Sequence, residues 1–498
     1  MSLFAQPTDA TTRHLGRLGA SGPPTPIDPQ LMRPAMGVRL VLVVGVAIAL
    51  RMLLFTLGPA LDMDRAAVDA SASAIALGSQ WAQTGQGSVS GESVGEMVPI
   101  YPALLAGIEM LGLPWHALLV FQILLTSATV LVVYGLIEKL FASPMGAMVG
   151  AMVVAVHPVF ILNANLMLPA ALAGFGLAGG LYLVLPSAER TLKKVALGGL
   201  ILGASSLVVP WLMLIGPMLA LGLALTSLRL RNQLAAGLLL ATSMLGPGLW
   251  MMHNHAQGLG YHLVGQPYAY ALDRATDVQW RAASTPTTRN QVFDHQLAQV
   301  HQLAQTRNGD ASTAMGIRAG QTLMEYPRQA MNLWMEQALE LCTGSSTKAW
   351  YTSLGLTYEP VDPLASLRVG DLAMVYQSDP AGAWLTLGQR AINTGLSVAA
   401  LVAGVLLMWR RRWRVVILLG GLSMYVLIAL WFAPVEALRL PLVLIQAVLI
   451  ASLWTDPPPR KAKVPRPTRK QRIAQSFDQP PSSDLPEEPV PAPTGRPI

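Results

Sequence analysis

The sequence predicts an all-α polytopic membrane protein with about ten transmembrane helices, interfacial helices and an outward-facing helical loop domain. Three observations carry that prediction. The chain is 52% hydrophobic and only 12% charged over 498 residues, with a positive mean hydropathy. Its apolar residues fall in repeated runs of about 18 residues or more, the length that crosses a bilayer core. Its basic residues recur in alternate gaps between those runs, as loops on one side of a membrane require.

Residues 1–35 are polar and contain proline, which reads as a cytoplasmic segment and not as a cleavable signal peptide. The first span is expected at roughly 36–57, followed by an outward loop over 58–100. A second span falls at about 115–137 and ends in Glu138-Lys139. Further runs near 145–160, 166–185, 195–209, 211–225 and 234–252 complete an N-terminal transmembrane module over 36–252. A polar stretch over 253–384 forms the large outward loop domain. Within it Phe293, Leu297, Val300 and Ala304 have helical spacing, so a small group of helices is expected there. Runs near 396–408, 415–431 and 440–454 supply the C-terminal transmembrane helices of 385–455. The tail over 456–498 is rich in proline, basic and then acidic, with too little apolar surface to offset its ordering entropy.

Charge sets the orientation. Lys139, then Arg190, Lys193 and Lys194, then Arg229 and Arg231, then Arg410–Arg414 occupy alternate gaps, and the tail segment "RKAKVPRPTRKQR" continues the series. The positive-inside tendency puts all of these in the cytoplasm with both termini of a multi-pass membrane protein. The same distribution turns the formal charge of +7 away from nucleic acid and toward topology and membrane lipids. One cysteine, Cys342, excludes an intramolecular disulfide and a Cys-based zinc site.

The outward loops hold the chemistry. In "LDMDRAAVDASASAIA" the residues Asp62, Asp64 and Asp69 follow directly on the first apolar run. Val68, Ala72, Ile75 and Ala76 share one helical face and Asp69, Ser73 and Gln80 another, the pattern of an interfacial helix. Its start is where the helix macrodipole favours acids, so Asp62 and Asp64 read equally as N-terminal acids or as reactive carboxylates. Arg51 lies inside the first span, where an arginine either snorkels outward or is paired and functional. "EMVPIYPALLAGIEM" then re-enters from the loop, its prolines fixing the start of a short apolar segment around Tyr101. Seven of the eight histidines (His116, His157, His253, His255, His262, His295 and His301) fall on the outward side. His253-Asn254-His255 lacks the carboxylate company of a metal motif, and His157-Pro158 is expected to end a span at the outer face.

In order, the Asp-x-Asp after the first span, "AIALGSQWAQTGQG", "PIYPALLAGI" and the run from "FQILLTSATV" to "GGLYLVL" resemble C-type (GT-C fold) integral membrane glycosyltransferases. The similarity is to the polyprenyl- or dolichyl-phosphate mannosyltransferase-like kind, which includes the lipid A aminoarabinose transferases. "GPGLWMMHNH", "MEYPRQAMNLWMEQ" and "EALRLPLVLIQAVLIA" continue it in the family's order, over most of residues 40–455.

The resemblance implies a sugar transfer from a polyprenyl-phosphate-linked donor to an acceptor glycolipid, protein or polysaccharide. It makes Asp64 the catalytic base, with Asp62 as neighbour or substitute, because the base must meet water at the headgroup plane where the donor phosphate stays. Arg51, Arg439 and His253 become the donor-phosphate candidates, and Tyr101, Asn254 and Glu436 the substrate-binding ones. No cofactor is required, and a divalent metal is possible without any motif to support it. The sequence departs from the family at "NLMLPAAL", where Pro169 and Ala170 replace an acid, at His253 in place of an arginine, and at Ala437 in place of another. A lipid-linked sugar transporter and a non-catalytic lipid-binding relative are the competing readings. A transporter usually carries an internal repeat, and none is evident here.

Overall fold

The structure is a computed structural model that describes residues 29–57, 78–80, 83, 98–186, 191–226, 229–256, 261, 263–264, 266–283, 287–307, 311–344 and 380–455. Every described element is helical. In chain order they are α1 (Pro29–Leu57), α2 (Ile100–Met110), α3 (Trp115–Phe141), α4 (Pro144–Val156), α5 (Pro158–Asn165) and α6 (Ala170–Val184). Next come α7 (Leu192–Ser206), α8 (Ile215–Thr226), α9 (Leu230–Ala256), α10 (Gln266–Ala282), α11 (Arg289–Arg307) and α12 (Ala311–Glu325). Then follow α13 (Pro327–Thr343), α14 (Pro380–Trp409), α15 (Trp413–Ala429) and α16 (Val435–Ala451).

All ten apolar runs become helices, but length divides them. Five are long and apolar enough to cross a membrane: Gly37–Leu57, Trp115–Phe141, Leu230–Ala256, Trp384–Trp409 and Ala437–Trp454. The pair Pro144–Val156 and Pro158–Asn165, bent by 50°, makes a sixth. Of the roughly ten spans expected, five to six reach this length among the described residues, and four shorter apolar helices accompany them. A helix such as Ala170–Val184, with 15 residues, rises only about 22 Å against a hydrocarbon core of about 30 Å. Prolines shorten these segments: Pro169 precedes α6, and Pro210 opens a 3-10 turn, Pro210–Leu212, before α8.

The local sequence explains where helices start. The Ser143 hydroxyl accepts from the Gly146 N–H with Pro144 at the first helical position, and the Thr191 hydroxyl accepts from the Lys194 N–H. Between helices, packing relies on small residues, as expected where lipid offers no hydrophobic gain. Gly146 and Gly150 on α4 let the α16 backbone approach closely. A Cβ there would lie 2.6 Å from the Ala451 carbonyl and 2.8 Å from the Ala447 carbonyl, respectively.

Helices α10–α13 pack against one another as a group. Leu272, Val300 and Ala314 join α10, α11 and α12, with Phe293 and Ala304 packed on them, and Val278, Ala330 and Leu333 join α10 to α13. Arg289 bridges Asp273 and Asp277 at 2.5 and 2.6 Å, tying α11 to α10. The layer is fixed to the bundle by the Trp334 indole N–H, which donates to the Leu427 carbonyl at 2.9 Å, and by Tyr270 edge-on to Trp211. The described residues up to Thr455 make one compact unit, and the tail from Asp456 lies outside the described residues.

Candidate functional site: two buried arginines at a broken span

The break between α4 and α5 follows from one residue. Pro158 has no N–H and cannot continue the helical ladder, so carbonyls in the last turn of α4 lose their donors. His157 sits between the helices in an extended conformation, and its Nδ1 accepts from the Val159 N–H at 3.2 Å, capping α5. As expected, His157-Pro158 ends a helix, α4 at Val156. The chain resumes at once in α5, and His157 is buried at 2% exposure.

Arg51 supplies one missing donor. It is completely buried. Its Nη1 donates to the Ala155 carbonyl at 3.0 Å and to the Ala47 carbonyl at 2.8 Å, and its Nε donates to the Thr126 hydroxyl at 3.0 Å. The cation thus sits at the C-terminal end of α4, where the helix dipole is negative. Its Nη2 has no hydrogen-bond partner among the described residues. It does not snorkel outward.

The polar line continues from Thr126. That hydroxyl donates to the Gln122 carbonyl at 2.9 Å, and the Gln122 amide donates to the Leu168 carbonyl at 2.9 Å and more weakly to the Tyr101 hydroxyl at 3.4 Å. Tyr101 is buried at the start of α2. The turn before Pro169, where the resembled family has an acid, thus offers Gln122 a backbone carbonyl.

Arg439 is the second buried cation, at 2% exposure. Its Nη2 donates to the Glu340 carboxylate at 3.0 Å and to the Glu340 carbonyl at 3.2 Å, which caps the C-terminus of α13. Gly344 follows directly, with its carbonyl accepting from the Asn393 amide at 2.6 Å. A side chain at Gly344 would collide with the Glu340 carboxylate and the Arg439 guanidinium, so glycine is required by space. His157, Cys342, Asn393, Arg439 and Gln446 line a cavity of about 10 Å³, room for about one water. Burial pushes the Cys342 thiol above its ordinary range, partly offset by its bond to Ser397.

The broken span therefore joins two of the sequence candidates. Arg51 holds the carbonyl two residues before His157, and Arg439 shares a cavity with His157 itself. The others lie apart or beyond description. His253, at the exposed end of α9, stacks on Trp250 at 4.9 Å, and His255 stacks on Tyr261 at 3.6 Å. Asn254 is buried and donates to the Leu263 carbonyl at 3.2 Å. No group of three His, Cys, Asp or Glu side chains at metal-binding distance occurs among the described residues. Of Glu436 only the backbone, in the first turn of α16, is described. Asp62 and Asp64 lie outside the described residues.

The far side of their loop is anchored. Residues 78–80 are helical, and Gly78 comes so close to α2 that a Cβ would lie 2.8 Å from the Leu105 Cβ. The Gln83 amide reaches the Glu109 carboxylate at 3.4 Å. Sequence reasoning passed over Gln122, Thr126, Asn393 and Glu340. Gln122 and Thr126 carried a readable signal, two polar residues four apart inside an apolar run.

Neither a family model nor a curated relative matches the chain. The solved structures similar to the chain include two archaeal ones. One is the archaeal oligosaccharyltransferase AglB from Archaeoglobus fulgidus in complex with an inhibitory peptide and a dolichol-phosphate, with 12% sequence identity and a TM-score of 0.46 over 84% of this chain and 50% of that one. The other is the Archaeoglobus fulgidus oligosaccharyltransferase in complex with Zn and sulfate, with 13% identity and a TM-score of 0.42 over 82% of this chain and 48% of that one. The present chain spans about half the length of each.

Proposed function

We propose that the chain is a GT-C-type membrane glycosyltransferase, which transfers a sugar from a polyprenyl-phosphate carrier to an acceptor on the outward, periplasmic face of a bacterial inner membrane. The observation that carries this reading is the buried Arg51, with no carboxylate in its hydrogen bonds and one amino group unpartnered among the described residues. It lies six residues, about 9 Å of helix rise, before Leu57 at the end of α1 and the acidic loop beyond. A buried cation is costly unless something anionic uses its field.

In the proposed reaction an acceptor hydroxyl or amine loses its proton to the Asp64 carboxylate as its heteroatom attacks the anomeric carbon. The bond from that carbon to the phosphate oxygen breaks with inversion, and the electron pair leaves on the polyprenyl phosphate. Arg51 and Arg439 lend positive field to that departing charge in a medium of low dielectric. Asp62 lies two residues away and shares or supports the base.

Mass spectrometry of envelope lipids and proteins, with and without the gene, tests the proposal. One product lacking a single sugar mass in the deleted strain is expected; identical profiles contradict it. The broken span α4–α5 keeps a second reading alive, since discontinuous helices are a transporter device. A transporter would move the lipid-linked sugar across proteoliposomes with its sugar–phosphate bond intact.

A further inference from the structure

Helix α13 belongs to the polar stretch over 253–384, yet its partners lie well inside the last three apolar helices. The Ser397 hydroxyl of α14 donates to the Cys342 carbonyl at 3.0 Å. The Trp334 indole N–H donates to the Leu427 carbonyl of α15 at 2.9 Å, and the Arg439 guanidinium of α16 donates to the Glu340 carbonyl at 3.2 Å. The other ends of α14, α15 and α16 share one level. Arg410, directly after α14, donates to the Ser452 and Thr455 carbonyls just past α16, at 3.1 and 2.9 Å, and α15 begins at Trp413 after a tight turn. Trp409, Trp413 and Trp454 are exposed there beside Arg410–Arg412, the tryptophan and arginine mixture of a membrane interface. From Trp409 to Ser397, Trp413 to Leu427 and Trp454 to Arg439 is 12, 14 and 15 residues, a rise of about 18, 21 and 22 Å. A hydrocarbon core is about 30 Å thick, and any tilt of the helices shortens those depths, so all three partners lie within it.

We propose that α13 is embedded in the bilayer, nearly in its plane, with Met331, Met335 and Leu339 against lipid acyl chains. Trp334 and Cys342 are about 12 Å apart along α13, yet their partners differ in depth by only about 3 Å, so α13 runs across the other helices and not along them. About 8–12 Å remains to the far boundary of the core, near the depth at which amphipathic helices embed. A helix end buried there cannot leave its last carbonyls to water. Those of Glu340, Cys342 and Gly344 instead accept from Arg439, Ser397 and Asn393, all on α14 and α16. Met331, Met335 and Leu339 recur every four residues on one side of α13, at 56%, 53% and 62% exposure. The protein holds the other sides: Leu333, Gln337 and Leu341 are buried, and Glu336 pairs with Arg281 of α10 at 2.7 Å. Exposed Ile428 and Phe432 flank the attachment to α15, and Ile392 and Val398 the one to α14, so the stripe continues a lipid-facing surface. Arg328 and Asn332, exposed in the first two turns, mark the end nearer the headgroups.

The test reads lipid exposure by spin-label collision in the full chain, reconstituted in phosphatidylcholine vesicles. Single nitroxides are attached at Met335→Cys and at Leu339→Cys in a Cys342→Ser background. Val405→Cys on α14 and His295→Cys on α11, both exposed, serve as the apolar and polar references. Oxygen concentrates among acyl chains, whereas a polar nickel chelate stays in water. The ratio of oxygen to nickel collisions at both α13 positions should therefore match that at position 405 and exceed that at position 295 severalfold. A ratio like that at position 295 would overturn the proposal in favour of a face in water. Access to neither reagent would overturn it in favour of cover by protein, whether residues 345–379 or another chain.

Discussion

Replacing Arg51 with methionine separates a structural role from a functional one. Methionine fills much of the same volume and deletes the charge. The variant loses two interhelical hydrogen bonds, to the Thr126 hydroxyl and the Ala155 carbonyl. Its third bond, to the Ala47 carbonyl, lies within α1, where the helical ladder already uses that carbonyl. Interhelical bonds in membranes contribute about 0.6–1.7 kcal/mol each, so roughly 1–3 kcal/mol is lost. Against this, the burial cost of an arginine in a span, about 2.5–3.5 kcal/mol on insertion scales, is relieved. The two nearly cancel, so Arg51→Met should unfold in SDS within about 1 kcal/mol of the parent. Sugar transfer per folded molecule should nonetheless fall at least tenfold, since about 1.4 kcal/mol of lost transition-state stabilisation suffices. A variant that unfolds far more readily while each folded molecule keeps full transfer would refute the reasoning and leave Arg51 as a helix cap alone.

Three further outcomes follow from the packing. Glu340→Ala removes the carboxylate partner of Arg439, and because Glu340 is 35% exposed the cost is discounted to about 1–2 kcal/mol; hydrogen exchange should rise first at the C-terminal end of α13, and an unchanged profile there would contradict the cap. Gly150→Leu forces a side chain against the Ala447 carbonyl and should destabilise by about 1–3 kcal/mol in SDS unfolding, whereas an unshifted midpoint would mean that α4 and α16 are not in close contact. Burial raises the Cys342 thiol, so its thiolate fraction at pH 8 is below that of a free cysteine; alkylation should be slow there and accelerate only at higher pH, and reaction following an ordinary thiol titration would contradict the packing of α13 on α14.

Much of this architecture was legible because helices in lipid must satisfy their own backbone, so apolar runs translate directly into helices. The convergence of Lys139, Arg229, Arg231 and Arg414 at one end agrees with the alternate-loop reading of their charges. Span number was less legible, because hydropathy reports apolarity and not the length left between prolines such as Pro169 and Pro210. His157-Pro158 shows the same limit: the dipeptide signals a break, but only packing decides whether the chain leaves the membrane or bends within it. Arg51 stood out as a charge inside an apolar run, and Arg439 entered through the resemblance at "EALRLPLVLIQAVLIA". Their partners did not, since Thr126 and Ala155 lie 75 and 104 residues from Arg51, and Glu340 lies 99 from Arg439. No local pattern encodes such pairings.

The central claim is transfer from a lipid-linked sugar by a carboxylate at the outward end of α1. Its most direct measurement is the rate at which purified protein releases polyprenyl phosphate and glycosylates its acceptor, compared among the parent, Asp62→Asn and Asp64→Asn. The account predicts that Asp64→Asn binds the donor as the parent does and turns over at least a hundredfold more slowly, the scale of a lost general base. Undiminished transfer in both variants would contradict it.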